Sequence, residues 1–180
     1  AETIRQTGLT IAPFADLLHA FEQDQTIARY LDRPALLDYC RRSANPVGRI
    51  VLELEGCRDP ERVALSDSIC TGLQLVNFWQ DVKRDRLAGR VYLPADDMRR
   101  HGVEEAMLDA AHASPSLIAL LREEVAWARA CLLRGLPLEE NAPPVLRPAV
   151  GMFGGGGLAV ADAIERIGCD TLAQRPTVSR

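Results

Sequence analysis

Apolar residues in this chain recur three and four positions apart almost throughout, and the strict alternation that marks a half-buried strand is nearly absent. That spacing gathers side chains on one face of a helix, so the expected fold class is all-α, a single helical bundle. A first helix is expected from about Pro13 to Tyr30, with Phe14, Leu17, Leu18 and Phe21 on its apolar stripe. A second starts near Pro34, where proline suits the first turn, and continues through Leu36, Leu37 and Cys40. Asn45-Pro46 then imposes a kink or break, because proline lacks an amide donor and disfavours helix at the preceding residue. Asp59-Pro60-Glu61 opens a helix that can run to about Asp85 before Gly89 ends it.

Arg90-Val91-Tyr92-Leu93-Pro94 is the one extended stretch, followed by short helices over Asp96 to Arg100 and Glu104 to Ala111. A long amphipathic helix is expected from Pro115 to Leu133, a linker from Pro137 to Pro148, and a last helix from about Leu146 to Cys169. Gly154-Gly155-Gly156-Gly157 lies inside that last helix, where each glycine costs about 1 kcal/mol relative to alanine. Either the backbone packs very close to something there, or the turn is loose.

A chain of 180 residues, 47% of them hydrophobic, can form one core, so residues 1–180 are expected to make a single domain. A net charge of -4 and a pI near 5.4 leave no excess of positive charge to neutralise a phosphate backbone, which argues against a nucleic-acid partner. Cys40, Cys57, Cys70, Cys131 and Cys169 are scattered, without the close pairs of zinc or redox motifs, and read as reduced packing residues of a cytoplasmic protein. His19, His101 and His112 have no partner at ligand spacing and are expected at the surface. No apolar run reaches the ~20 residues that cross a bilayer. The chain begins at Ala1 and ends at Thr177-Val178-Ser179-Arg180 without a helix stop, as expected of a piece of a longer protein.

On a helix, Gln74, Asn77, Asp81 and Asp85 share an arc of roughly 80°. Two readings fit this face. It is a solvated surface on which Lys83, Arg84 and Arg86 pair with the acids, or it is a metal site. Two carboxylates and an amide oxygen are hard ligands of the type magnesium takes, and a divalent ion would let an acidic site hold an anionic diphosphate. The amides favour the second reading, since a solvated face has no need of them. Arg90, just past the glycine turn, is a candidate donor to a departing diphosphate through its planar fork. Phe78 projects to the edge of the arc, where a ring face could stabilise a carbocation, although core packing is its commoner role. Tyr39 precedes Arg42 and Ser43 at helical spacing, so its phenol can lie beside polar partners or in the core.

The run Gly72 to Asp85, containing Gln74-Leu75-Val76-Asn77-Phe78-Trp79-Gln80-Asp81-Val82-Lys83-Arg84-Asp85, and the following Gly89-Arg90-Val91-Tyr92-Leu93-Pro94, resemble the second aspartate-rich motif of squalene and phytoene synthases. Asp38-Tyr39-Cys40 and Ser43-Ala44-Asn45-Pro46-Val47-Gly48 are similar to that family's tyrosine-cysteine and valine-glycine segment. Asn45-Pro46, Phe78-Trp79-Gln80, Asp162-Ala163-Ile164-Glu165 and Arg175-Pro176 resemble most the bacterial hydroxysqualene synthase branch of hopanoid synthesis.

The resemblance implies an all-α isoprenoid synthase bundle in which Asp81, Asp85 and Asn77 hold Mg2+ and Gln74 supports them. It places Tyr39 near the reacting carbons and Arg90 and Arg175 against phosphate. The implied substrate is a prenyl diphosphate: presqualene diphosphate converted to hydroxysqualene, or two farnesyl or larger prenyl diphosphates joined by a phytoene or presqualene diphosphate synthase. A non-catalytic scaffold derived from the family is the alternative of another class. Lipid substrates also imply contact with the cytoplasmic face of a membrane.

Gln80 stands where many members of the family carry an arginine, so one phosphate contact is absent or supplied elsewhere. The family's first aspartate-rich motif is not found, Glu22 and Asp24 lacking its pattern. The chain is therefore expected to lack the amino-terminal helices of the complete enzyme and, with half a metal clamp, to bind magnesium and diphosphate poorly by itself.

Overall fold

A computed structural model of the chain describes residues 8–178. Among them the regular structure is helical: α1 (Ala12–Gln23), α2 (Arg33–Ser43), α3 (Asn45–Leu54), α4 (Pro60–Gln80), α5 (Val82–Leu87), α6 (Ala95–Arg100), a 3₁₀ turn (Glu105–Asp109), α7 (Pro115–Gly135), α8 (Leu138–Asn141) and α9 (Arg147–Arg166). The expectation of an all-α bundle holds. A lone parallel bridge joins Arg29 to Val91 within the stretch expected to be extended.

The helix starts are local. Asp32, Asp59 and Ser114 accept the amides of Ala35, Arg62 and Leu117 at 2.8, 3.0 and 3.2 Å, each with a proline in the first turn. The break before Asn45-Pro46 falls at Ala44 (φ -118°, ψ -50°). There the buried Asn45 side chain accepts a hydrogen bond from Thr71 of α4 at 2.9 Å, pinning the kink to the core.

The first helix is shorter than its pattern predicts. The amides of Asp24, Gln25 and Thr26 close turns onto Ala20, Glu22 and Gln23, ending α1 well before Tyr30. Its buried residues are Pro13 and Ala20, whereas Leu18 and Phe21 are 62% and 59% exposed. The stripe read as core-facing is therefore largely open.

α4 and α7 form the centre, with α3 and α9 against them. Their apolar residues, among them Leu75, Trp79, Leu120, Leu121, Val125 and Leu132, are buried. Close approach depends on Gly72 and Gly135. A Cβ on Gly72 would lie 2.9 Å from the Leu132 amide nitrogen, and one on Gly135 would lie 2.7 Å from the Leu65 carbonyl. The glycine run of α9 divides the same way. Gly154 and Gly157 face Leu136 and Leu132 at distances that exclude a Cβ, while Gly155 and Gly156 face open space. The helix is continuous through all four.

The cysteines are all free thiols, and four of them are buried, in keeping with their reading as packing residues. His19 and His112 are exposed as expected. His101 is instead half-buried, its Nε2 lying 2.9 Å from Glu123. Ser179 and Arg180, part of the expected unfinished end, lie outside the described residues.

Candidate functional site

The helix expected to run unbroken to Asp85 breaks at Asp81 (φ -107°, ψ 16°), where α4 gives way to α5. The ladder survives the break: the Asp81 amide donates to Asn77 at 3.0 Å and that of Asp85 to Asp81 at 2.9 Å. Gly89, at φ +80°, then reverses the chain in a conformation that favours glycine, and the Arg90 amide returns to the Asp85 carbonyl at 2.8 Å. Local backbone geometry thus brings Asn77, Asp81, Asp85 and Arg90 around one corner of the bundle.

The two acids have different surroundings. Asp81 accepts Arg175 Nε at 2.6 Å and Nη2 at 3.1 Å, with Arg84 at 3.4 Å. The Arg175 guanidinium holds its carboxyl below the usual range. Asp85 makes no side-chain hydrogen bond or ion pair to another described residue. Burial, and next the charge of Asp81, push its carboxyl up to about 6 against the pull of Arg90 and Arg84.

The Gln74 and Asn77 amides, half-buried and exposed, likewise make no side-chain hydrogen bond among the described residues. The half-buried Asp85 carboxylate and the two amides are thus oxygen donors that no described side chain occupies. These donors suit a hard divalent ion. No group of three or more His, Cys, Asp or Glu side chains is gathered to hold a metal among the described residues. Asp81 and Asp85 by themselves do not make such a group.

An aromatic wall stands beside the acids. Phe78 is buried and stacks on Tyr92 with centroids 3.9 Å apart and planes at 10°. Tyr39 lies 6.3 Å from Phe78, 6.0 Å from Tyr92 and 5.3 Å from Tyr30. Tyr39 is buried, and its polar partner is neither Arg42, which pairs with Asp38, nor Ser43. The phenol donates instead to Asp24 at 2.8 Å. Burial and that hydrogen bond raise its pKa and keep it protonated. Trp79, Asp85, Arg90 and Tyr92 line one recess with Phe78, so one of the two acids, a guanidinium and three rings share a single feature.

Sequence spacing gives no sign of a role for Tyr30, and Asp24 enters it only as lacking the first motif's pattern. Tyr92 lies within the Arg90 to Pro94 segment that resembles the family's motif, which is the signal for it. Arg175, which the resemblance sets against phosphate, has its guanidinium on Asp81 in this structure.

A second concavity opens where α3, α4 and α9 meet, a cavity of about 190 Å³ walled by Val47, Val51, Leu73, Leu146, Val150 and Phe153. Leu73 is the immediate neighbour of Gln74. Gly48 keeps the cavity floor close, because a Cβ there would meet Cys70 Sγ at 2.7 Å.

A helical bundle that sets two acids, an arginine and an aromatic wall at a helix break matches a known class. The chain belongs to the squalene/phytoene synthase family, whose family pattern matches residues 1–180. It is similar to the hydroxysqualene synthase of Zymomonas mobilis, with 41% identity over 122 residues covering 63% of this chain and 40% of that protein. It is also similar to the hydroxysqualene synthase of Rhodopseudomonas palustris, with 39% identity over 136 residues covering 75% of this chain and 46% of that protein. Among solved structures, squalene synthase HpnC from Alicyclobacillus acidocaldarius superposes with a TM-score of 0.89 at 39% identity, over 92% of this chain and 63% of that one. The chain spans less than half the length of these two curated relatives.

Proposed function

We propose that residues 1–180 form part of an isoprenoid synthase domain that converts presqualene diphosphate to hydroxysqualene with release of diphosphate. The observation that carries this reading is the pair Asp81 and Asp85, one carboxylate neutralised by an arginine and the other left without a partner beside Arg90 and a wall of aromatic rings. Hydroxysqualene synthases at about 40% identity support the choice of substrate and product.

In this reading Asp81, Asp85 and Asn77 hold magnesium and Gln74 supports them. When bound, the metal would offset negative charge developing on the leaving group. The chain's own residues do the rest. Arg90 and Arg175 donate hydrogen bonds to the diphosphate as the carbon–oxygen bond breaks and the bonding pair leaves with oxygen.

The cation left behind lies against the faces of Phe78, Tyr92 and Tyr39, whose quadrupoles favour positive charge. Tyr39, kept protonated by burial and by Asp24, presents a ring and a neutral oxygen there. Water adds to the rearranged cation and loses a proton to give the alcohol. The apolar cleft between α3, α4 and α9 is suited to prenyl chain, and transfer of so apolar a substrate favours contact with a membrane surface. No described helix is long and apolar enough to cross a membrane.

The test is product formation from presqualene diphosphate with and without magnesium, using the chain extended at its amino terminus beside Asp81→Asn and Asp85→Asn. Magnesium-dependent hydroxysqualene that disappears in both variants is expected. No product, or product indifferent to both substitutions, would sink the reading in favour of a helical scaffold.

A further inference from the structure

Gln80 is the last residue of α4, immediately before the break at Asp81, and it is buried. A buried amide needs partners for both its donor and its acceptor, and Gln80 finds both in one two-residue stretch of the carboxyl-terminal segment. Its Nε2 donates to the Pro176 carbonyl at 2.7 Å, and its Oε1 accepts from Arg175 Nη2 at 2.9 Å. Lys83 adds a second tether by donating to the Leu172 carbonyl at 2.8 Å.

The segment is thereby strapped across the junction of α4 and α5, and Arg175 emerges with its fork on both oxygens of Asp81. Pro176 is buried under the strap, whereas Arg175 is largely exposed. The arginine is held by its neighbours' hydrogen bonds and by Asp81, not by packing. Its guanidinium takes one lone pair on each oxygen of Asp81. A divalent cation between Asp81 and Asp85 would meet that positive charge at close range, so the two compete for the same carboxylate.

We propose that Gln80 is a positioning residue that makes Arg175 an exchangeable counter-ion: seated on Asp81 when no cation is bound, and turned to the diphosphate once a cation takes the carboxylate. This rests on the reading that Asp81 and Asp85 form the magnesium site. The anchor at Pro176 does not involve the guanidinium, so Arg175 can leave Asp81 without the strap detaching. Arg175 would thus answer to two ligands with opposite sign. It competes with magnesium and cooperates with diphosphate. A residue of purely structural role would weaken both or neither.

Titration calorimetry on the chain extended at its amino terminus reads the two effects separately, first with magnesium chloride and then with pyrophosphate at saturating magnesium. Arg175→Gln is expected to tighten magnesium about threefold, the effect of removing a partly exposed ion pair. It is expected to weaken pyrophosphate about tenfold, the effect of losing a charge-assisted hydrogen bond. Gln80→Leu keeps every charge, and it should shift both affinities in the same directions. If Gln80→Leu fails to fold, Gln80→Met replaces it, because methionine matches the length of glutamine, leaves Arg175 in place and offers it no acceptor amide.

Magnesium affinity unchanged or weakened in Arg175→Gln, while Asp81→Asn abolishes binding, overturns the exchange and leaves the metal site standing. Magnesium binding that ignores Asp81→Asn overturns the metal site, and the exchange with it.

Discussion

Two clusters of carboxylates in this chain are compensated in opposite ways. Where α2, α6 and α7 meet, Arg33 reaches Asp97 at 2.8 Å, Glu123 at 2.7 Å and Glu124 at 3.2 Å. Arg100 adds bonds to Asp97 and Glu123, and Arg33 lies 4.8 Å from the centre of the Trp127 ring. Three acids share two arginines, and the only unsatisfied atom of the group is one oxygen of the fully buried Glu124. At the junction of α4 and α5 there are two acids, and the cation nearest Asp85 does not touch it.

In the first cluster every acid has a direct cationic partner within the fold. In the second, Asp85 has none among the described residues, and that is the place the proposed magnesium would take. The two clusters differ in which carboxylate lacks a direct ion pair, not in their number of acids.

Removing the built-in charge is the strongest way to break this contrast. Arg33→Met should destabilise the chain by about 3 kcal/mol in urea unfolding, because it strands buried carboxylates that the arginine now compensates. A loss below about 1 kcal/mol would mean that the cluster is solvated like a surface pair.

Acidity gives the next largest effect. Burial raises Glu124 from 4.5 to about 8 in the fold, while Arg100 and Arg33 hold Asp97 below its usual range. The protonated Glu124 is favoured by folding, so its contribution is complete below pH 4.5 and is lost as the pH rises through about 8. Between those values unfolding stability should fall by up to about 1.4 kcal/mol per pH unit. Glu124→Gln, which cannot ionise, should flatten that slope. A wild-type slope that survives the substitution would assign it to another group.

The sequence carries these features unequally. Asp59-Pro60 marks a helix start because caps are local, and the three-and-four spacing groups Gln74, Asn77, Asp81 and Asp85 because neighbours one turn apart need no distant partner. The end of α1 is not local: the chain leaves the helix to set Arg29 against Val91. Nor does the spacing of Leu18 and Phe21 reveal whether anything covers them. Tyr39 donates its hydrogen bond to Asp24, 15 residues away through a loop, whereas helical spacing points to Arg42. Gln80 stood out as a departure from the family, but its partner is 96 residues distant and no pattern joins them. The glycine run leaves close packing and a loose turn as alternatives, and the helix shows close packing at Gly154 and Gly157 and an unbroken turn facing open space at Gly155 and Gly156.

The smallest expected effect carries the opposite sign and sharpens the comparison most. Asp85 sits half-buried beside Asp81 without a partner among the described residues, so without a cation its charge opposes folding. Asp85→Asn keeps the shape and removes that charge. In magnesium-free buffer at pH 8 it should stabilise the chain by about 1 kcal/mol, the scale of a like-charge and burial penalty at a half-exposed group. The same substitution should abolish any stabilisation gained on adding magnesium. Destabilisation by Asp85→Asn without magnesium would mean that the carboxylate already has a partner in the fold, and the two clusters would then be structures of the same kind.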